Sequence, residues 1–102
     1  MENINEITPN KLQELKETNQ GIEIIDVRED EEVAQGMIEG AKHIRLDKIP
    51  EEMKDLDKSK HYVLVCRSGR RSMNAALYLN ENGYKVSNLV GGMLDWDGEI
   101  II

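Results

Sequence analysis

"HYVLVCRSGRRSMNAALYLNENG", His61 to Gly83, is the stretch whose reading decides the fold. Its opening, His61 to Cys66, is an almost unbroken apolar run, as expected of a short strand covered on both faces. Its close, from Ser72 onward, sets Met73, Ala76 and Leu77 on one side of a helix and ends at Gly83, a C′ stop. The turn between them is "CRSGRR". Cys66 therefore ends a strand, and a helix begins about where Arg71 and Ser72 stand.

Outward from this unit the chain keeps alternating. "IEIIDV" (Ile22 to Val27) and "KVSNLV" (Lys85 to Val90) read as further strands, and "AKHIRL" as a short one after the turn at Glu39 and Gly40. "TPNKLQELKETNQG" reads as a helix with Thr8 as N-cap, Pro9 at the first helical position, Leu12 and Leu15 on one face and Gly21 as the stop. "EDEEVAQG" reads as a short acidic helix ending near Gly36. Pro50 opens another toward Leu56, and "GGMLDW" turns into a last one before an apolar "EIII" that the pattern does not place. Strands alternating with helices imply an α/β fold, a mostly parallel central sheet flanked by helices on both faces. A chain of 102 residues is expected to be one domain.

Composition narrows the function. The net charge is −7, which argues against general binding to nucleic acid or to a membrane surface. The start, "MENINEITPN", has neither a signal-peptide nor a transit-peptide pattern, and no apolar run approaches the about 18 residues of a membrane span. One cysteine cannot form an internal disulfide, and one Cys with two His is a poor metal set, so neither a metal nor another cofactor is expected. A reducing cytoplasm is the simplest compartment.

Against that acidic background, three of the five arginines fall between Arg67 and Arg71, beside the only thiol. In open α/β sheets ligands bind outside the carboxyl ends of the strands. A helix N-terminus there offers unpaired N–H groups and the positive end of a dipole, which suit an anion and favour thiolate over thiol. Nearby arginines are expected to add to that field and to attract an anionic substrate.

These residues resemble the rhodanese-like sulfurtransferases in their single-domain form, over nearly the whole chain. "IIDVREDEEVAQGMIEGAKHI" is similar to the family's Asp-Val-Arg segment followed by Gly-x-Ile-x-Gly-Ala. "VLVCRSGRRS" resembles its Cys-x-x-Gly-x-Arg-Ser loop, and "GGMLDW" its closing Gly-Gly-x-x-x-Trp. Met37 stands where the family usually has His, a change that bears on packing more than on chemistry.

The resemblance implies a sulfurtransferase in which Cys66 is the nucleophile and carries a sulfane sulfur as a persulfide. It implies a cradle of Arg67, Ser68, Gly69, Arg70, Arg71 and Ser72, with Asp26 and Arg28 supporting it. The donor is then a small anion such as thiosulfate, and the acceptor a thiol or cyanide. The alternative is a carrier module, whose partners are a cysteine desulfurase and a sulfur-acceptor protein. Phosphatases and arsenate reductases of related fold place one more residue between Cys and Arg than the four found between Cys66 and Arg71, so that reading is weaker. Asp26 is as well read as a loop anchor as a substrate ligand. Arg28 is split between a salt bridge and a substrate contact. His43 and His61 read as strand residues with satisfied rings. The acidic run Glu29 to Glu32 reads as a solvated helix start or a dock for a basic partner.

Overall fold

The computed structural model describes residues 4–18 and 21–102. In chain order the elements are β1 (Asn5–Ile7), α1 (Pro9–Thr18), β2 (Ile22–Asp26), α2 (Asp30–Val33), β3 (Met37–Ile38), β4 (Lys42–His43), α3 (Ile49–Glu52), β5 (His61–Val65), α4 (Arg70–Glu81), β6 (Lys85–Leu89) and β7 (Ile100–Ile101). Single turns of 3-10 helix occupy Leu46–Lys48, Met53–Asp55 and Gly92–Asp95.

The most apolar strand takes the centre. Five strands pair in the order β1-β6-β5-β2-β4, all parallel, so β5 is covered on both edges by β2 and β6. Parallel neighbours cannot be joined by tight hairpins, and the helices make the crossovers. The pleat then divides β5 between two cores. Tyr62, Leu64 and Cys66 face Ala75, Ala76 and Leu79 of α4, with Ile25, Val27 and Val86 from the flanking strands. Val63 and Val65 face the other way, onto Leu12 of α1, Ile24, Ile38 and Leu89. Each fully buried aliphatic side chain contributes about 1.5–3 kcal/mol, which is why helices on both faces are required.

Local signals hold where they are strong. Thr8 caps α1, its Oγ1 accepting the Lys11 N–H at 3.2 Å. Asn19 and Gln20 of the expected helix lie outside the described residues, and Gly21 (φ 75°) follows them at the entry to β2. The deep face of α4 is Ser72, Ala75, Ala76 and Leu79, not the expected Met73, Ala76 and Leu77; Met73 and Leu77 are half-buried. The small residues lie innermost because the helix packs closely over the sheet. "AKHIRL" pairs over only Lys42–His43, since Ile44 already bends into the following turn.

Two pairings were not visible in the sequence. β1 adds an edge strand to β6. The "EIII" segment returns to the first half of the chain, where Ile100 and Ile101 pair antiparallel with Ile38 and Met37. Met37 is thereby half-buried in a two-stranded ribbon. No helix among the described residues is long and apolar enough to cross a membrane.

Candidate active site

Cys66 leaves the carboxyl end of the central strand, one residue past Val65, with its side chain on the α4 side of the sheet. The loop must then reverse within three residues to start α4 at Arg70. Gly69 makes the reversal in the left-handed region (φ 101°) as the N-cap residue of α4. This curl brings the Gly69 N–H to 3.0 Å from Sγ and the Ser72 hydroxyl to 3.3 Å.

Cys66 is only 1 % exposed, and that burial pushes its thiol pKa up. The Ser72 hydroxyl and the amides of Ser72, Gly69 and Ser68 outweigh it, so the thiol is more acidic than an ordinary cysteine. What favours ionisation is therefore backbone dipoles and one hydroxyl. Arginine plays a smaller part than the sequence suggested. Arg71 senses the charge on Cys66, but its guanidinium is bound bidentately by Glu32 at 2.6 and 2.8 Å. Arg67 and Arg70 are exposed and make no ion pair among the described residues.

The loop is braced from two directions, and a buried ion pair stands on the neighbouring strand. From the C-terminal side, the Met93 and Leu94 N–H groups donate to the Cys66 and Arg67 carbonyls at 2.9 and 3.0 Å. Gly92 (φ 57°) allows that approach, since a Cβ there would overlap both carbonyl oxygens. From β6, Asn88 donates to the Gly69 carbonyl at 3.0 Å and accepts from Ser72 Oγ at 2.5 Å. From β2, Asp26 stands in register with Val65 and is fully buried. Arg28 clamps Asp26 through Nε and Nη2 at 2.8 to 3.1 Å and donates to the Gly36 carbonyl at 2.8 Å.

Of the expected cradle, the structure brings Gly69 and the fully buried Ser72 to the sulfur, while Arg67 and Arg70 stand exposed and Arg71 turns to Glu32. Asp26 and Arg28 pair with each other and shape the turn leading to α2, whose Glu32 holds Arg71. The acidic run is not merely solvated: its basic partners are in the same chain, Arg71 for Glu32 and Arg45 for Asp30. The histidine rings are satisfied, His43 Nε2 by the Arg28 carbonyl and His61 Nε2 by Ser87 Oγ, each at 2.7 Å. Sequence reasoning missed Glu32 and Asn88. An inward arginine calls for an acid, and two polar residues inside the buried strand "KVSNLV" call for partners; those were the available signals.

Beside the loop lies a groove of about 340 Å³, lined among others by Glu31, Glu32, Gln35, Arg67, Leu94 and Ile100.

Cys66 thus opens, at the carboxyl end of a parallel sheet, the loop that carries the Cys-x-x-Gly-x-Arg-Ser pattern, with the Gly69 amide and the Ser72 hydroxyl on its sulfur. Residues 8–99 match the family described as "Rhodanese-like domain", and the chain belongs to that family. It is 55 % identical over 96 residues to the Bacillus subtilis protein named "Putative sulfurtransferase YtwF", covering 94 % of this chain and 93 % of that one. It is 35 % identical to the Bacillus subtilis "Putative sulfur carrier protein YrkF", over 94 % of this chain and 52 % of the relative. A rhodanese-like domain protein from Staphylococcus aureus superposes with a TM-score of 0.91 at 37 % identity, over 97 % of this chain and 98 % of that one. Its relatives thus support a transferase of sulfur.

Proposed function

We propose that this protein moves a sulfane sulfur from thiosulfate or a persulfide donor to a thiophilic acceptor through a persulfide on Cys66. The observation that carries the reading is the set of amides aimed at Sγ, with the Gly69 N–H at 3.0 Å. Such a nest holds an anion without a base, and both the thiolate and a persulfide's outer sulfur are anions. In the first step Cys66 thiolate attacks the outer sulfur of thiosulfate. An S–S bond forms, the bond to the sulfonate sulfur breaks, and sulfite leaves with the electron pair. In the second step cyanide or a thiolate takes the outer sulfur, and the Cys66 thiolate returns with its electrons. Cys66 is the only cysteine, so the acceptor comes from outside. Arg67 and Arg70, exposed at the mouth, draw the anionic donor in; the groove past Arg67 and Leu94 receives the acceptor. The reaction needs a reduced thiol, which suits the cytoplasm.

Incubation with thiosulfate is expected to leave the intact protein heavier by one sulfur atom, and Cys66→Ser to abolish the gain. No gain at any thiosulfate concentration rejects the thiosulfate step.

The carrier reading is favoured by the likeness to a protein named as a sulfur carrier. It predicts slow loading from thiosulfate and rapid loading from a cysteine-desulfurase persulfide, read by the same mass measurement. Phosphoryl chemistry is disfavoured by Arg71, whose guanidinium is already engaged by Glu32 rather than free to cradle a phosphate.

A further inference from the structure

Asn88 lies outside the loop, on the strand next to β5, and is 1 % exposed. Its Nδ2 donates to the Gly69 carbonyl at 3.0 Å and lies 3.4 Å from a Glu6 carboxylate oxygen. Both of those partners can only accept, so the amide is fixed with its nitrogen toward them and Oδ1 toward Ser72. Oδ1 can only accept in turn, so the Ser72 hydroxyl, 2.5 Å away, donates to it. That hydroxyl has a single proton, yet its oxygen also lies 3.3 Å from Cys66 Sγ.

One proton cannot serve both. While Cys66 is a thiol, its S–H can donate to Ser72 Oγ, which leaves the Ser72 proton free for Asn88. When the thiol gives its proton to solvent, the sulfur can only accept. The Ser72 hydroxyl then rotates toward it and leaves Asn88 Oδ1 without that donor. The S–H bond is the only covalent bond that changes.

We infer that Asn88 is a positioning residue of the site, anchoring Gly69 so that its N–H meets Sγ and competing with the ionised sulfur for the one proton of Ser72. This deepens the sulfur-transfer reading, but it requires only that Cys66 ionise. The two effects of Asn88 oppose each other: the anchor helps the thiolate, and the competition hinders it. The charged groups nearby are Arg71 with Glu32 on α4 and α2, the Asp26–Arg28 pair at the end of β2, Glu6 on β1, and Arg67 and Arg70 in the loop. None of them changes in the variants that separate the two effects.

The test is a double-mutant cycle on the full chain, read as the pH midpoint of Cys66 alkylation by iodoacetamide. Ser72→Ala is expected to raise the midpoint, since the sulfur loses a donor. In the Ser72→Ala background, Asn88→Ala loses its Gly69 and Glu6 contacts but none with Ser72, and raises the midpoint further. With Ser72 present, the freed hydroxyl offsets that rise. The Asn88→Ala shift should then be smaller, or reversed, by about half a pH unit, roughly a threefold difference in the thiolate-to-thiol ratio at a given pH. Equal shifts in the two backgrounds overturn the inference. If Asn88→Ala does not fold, Asn88→Ser completes the same cycle with the same expected sign. Thiosulfate loading, measured separately by mass, isolates the sulfur-transfer reading: no loading with the coupling intact rejects that reading and leaves Asn88's role standing.

Discussion

Gly92 offers the sharpest perturbation of the loop. Its φ of +57° alone makes an alanine there unfavourable by about 1–2 kcal/mol. The added Cβ would also fall inside van der Waals contact with the Cys66 carbonyl oxygen and 2.6 Å from that of Arg67. Relief requires the loop and the following turn to separate, which lengthens the Met93 N–H and Leu94 N–H bonds to those same carbonyls. Each such bond is worth about 0.5–1.5 kcal/mol. The sum for Gly92→Ala is therefore about 2–5 kcal/mol. Gly40→Ala is the matched control. It too has positive φ (+86°), but a Cβ there meets nothing within 4 Å, so only the strain applies; the stiffer unfolded chain offsets about 0.4–1 kcal/mol of the loss in both variants. Urea unfolding of the two variants should differ by about 1–3 kcal/mol, and only Gly92→Ala should also shift the pH midpoint of Cys66 alkylation. Equal losses, or an unmoved midpoint, would refute the view that this turn sets the loop.

Other predictions follow from the ion pairs and rings around the site. The Arg71 hydrogen bond lowers the Glu32 pKa from 4.5 to about 2; the unfolded chain then binds the extra proton between these values, so stability from the pair is full above about pH 4.5 and is lost as pH falls toward 2. Because both side chains are partly exposed (35 % and 28 %), the pair is worth about 1–2 kcal/mol; the urea midpoints of the protein and of Glu32→Gln should differ at pH 7 and converge near pH 2, and a difference unchanged with pH would sink the assignment. Arg28→Ala leaves Asp26 buried without its partner and should cost about 3–5 kcal/mol in guanidinium unfolding, with Arg28→Lys recovering part of it, because an ammonium cannot match the fork; a loss no larger than that of the more exposed Arg45→Ala would contradict it. Burial, and then Lys85, lowers the pKa of His61 below its ordinary 6.5, so its NMR titration midpoint should lie lower and its contribution to stability should fade as pH drops below 6.5; a midpoint at or above 6.5 refutes this.

What was legible in the sequence follows from how local its cause is. β5, the loop and α4 were readable because an apolar run, a glycine and a helical period all lie within His61 to Gly83. The thiol's acidity was readable for the same reason, although its source is the loop amides more than the arginines. β1 was invisible because three residues, two of them exposed, carry no alternation to detect. β7 was invisible because its partner is a two-residue strand more than sixty positions earlier. Glu32 and Asn88 share that difficulty. Each matters through a contact with α4 or its cap made across the fold, from Glu32 to Arg71 and from Asn88 to Gly69 and Ser72. The phase of α4 slipped because small residues go deepest there, and hydropathy ranks Met73 and Leu77 above alanine.

The recess around Cys66 also governs reach. The strand lies behind the sulfur, and Ser72 and Asn88 close the helix side. In the proposed persulfide the outer sulfur would stand about 2 Å beyond Sγ, the length of a disulfide bond. A bulky visitor could then grasp the cargo while never touching the hook that holds it. Empty and laden forms would present different faces to a partner, and depth alone would tell them apart.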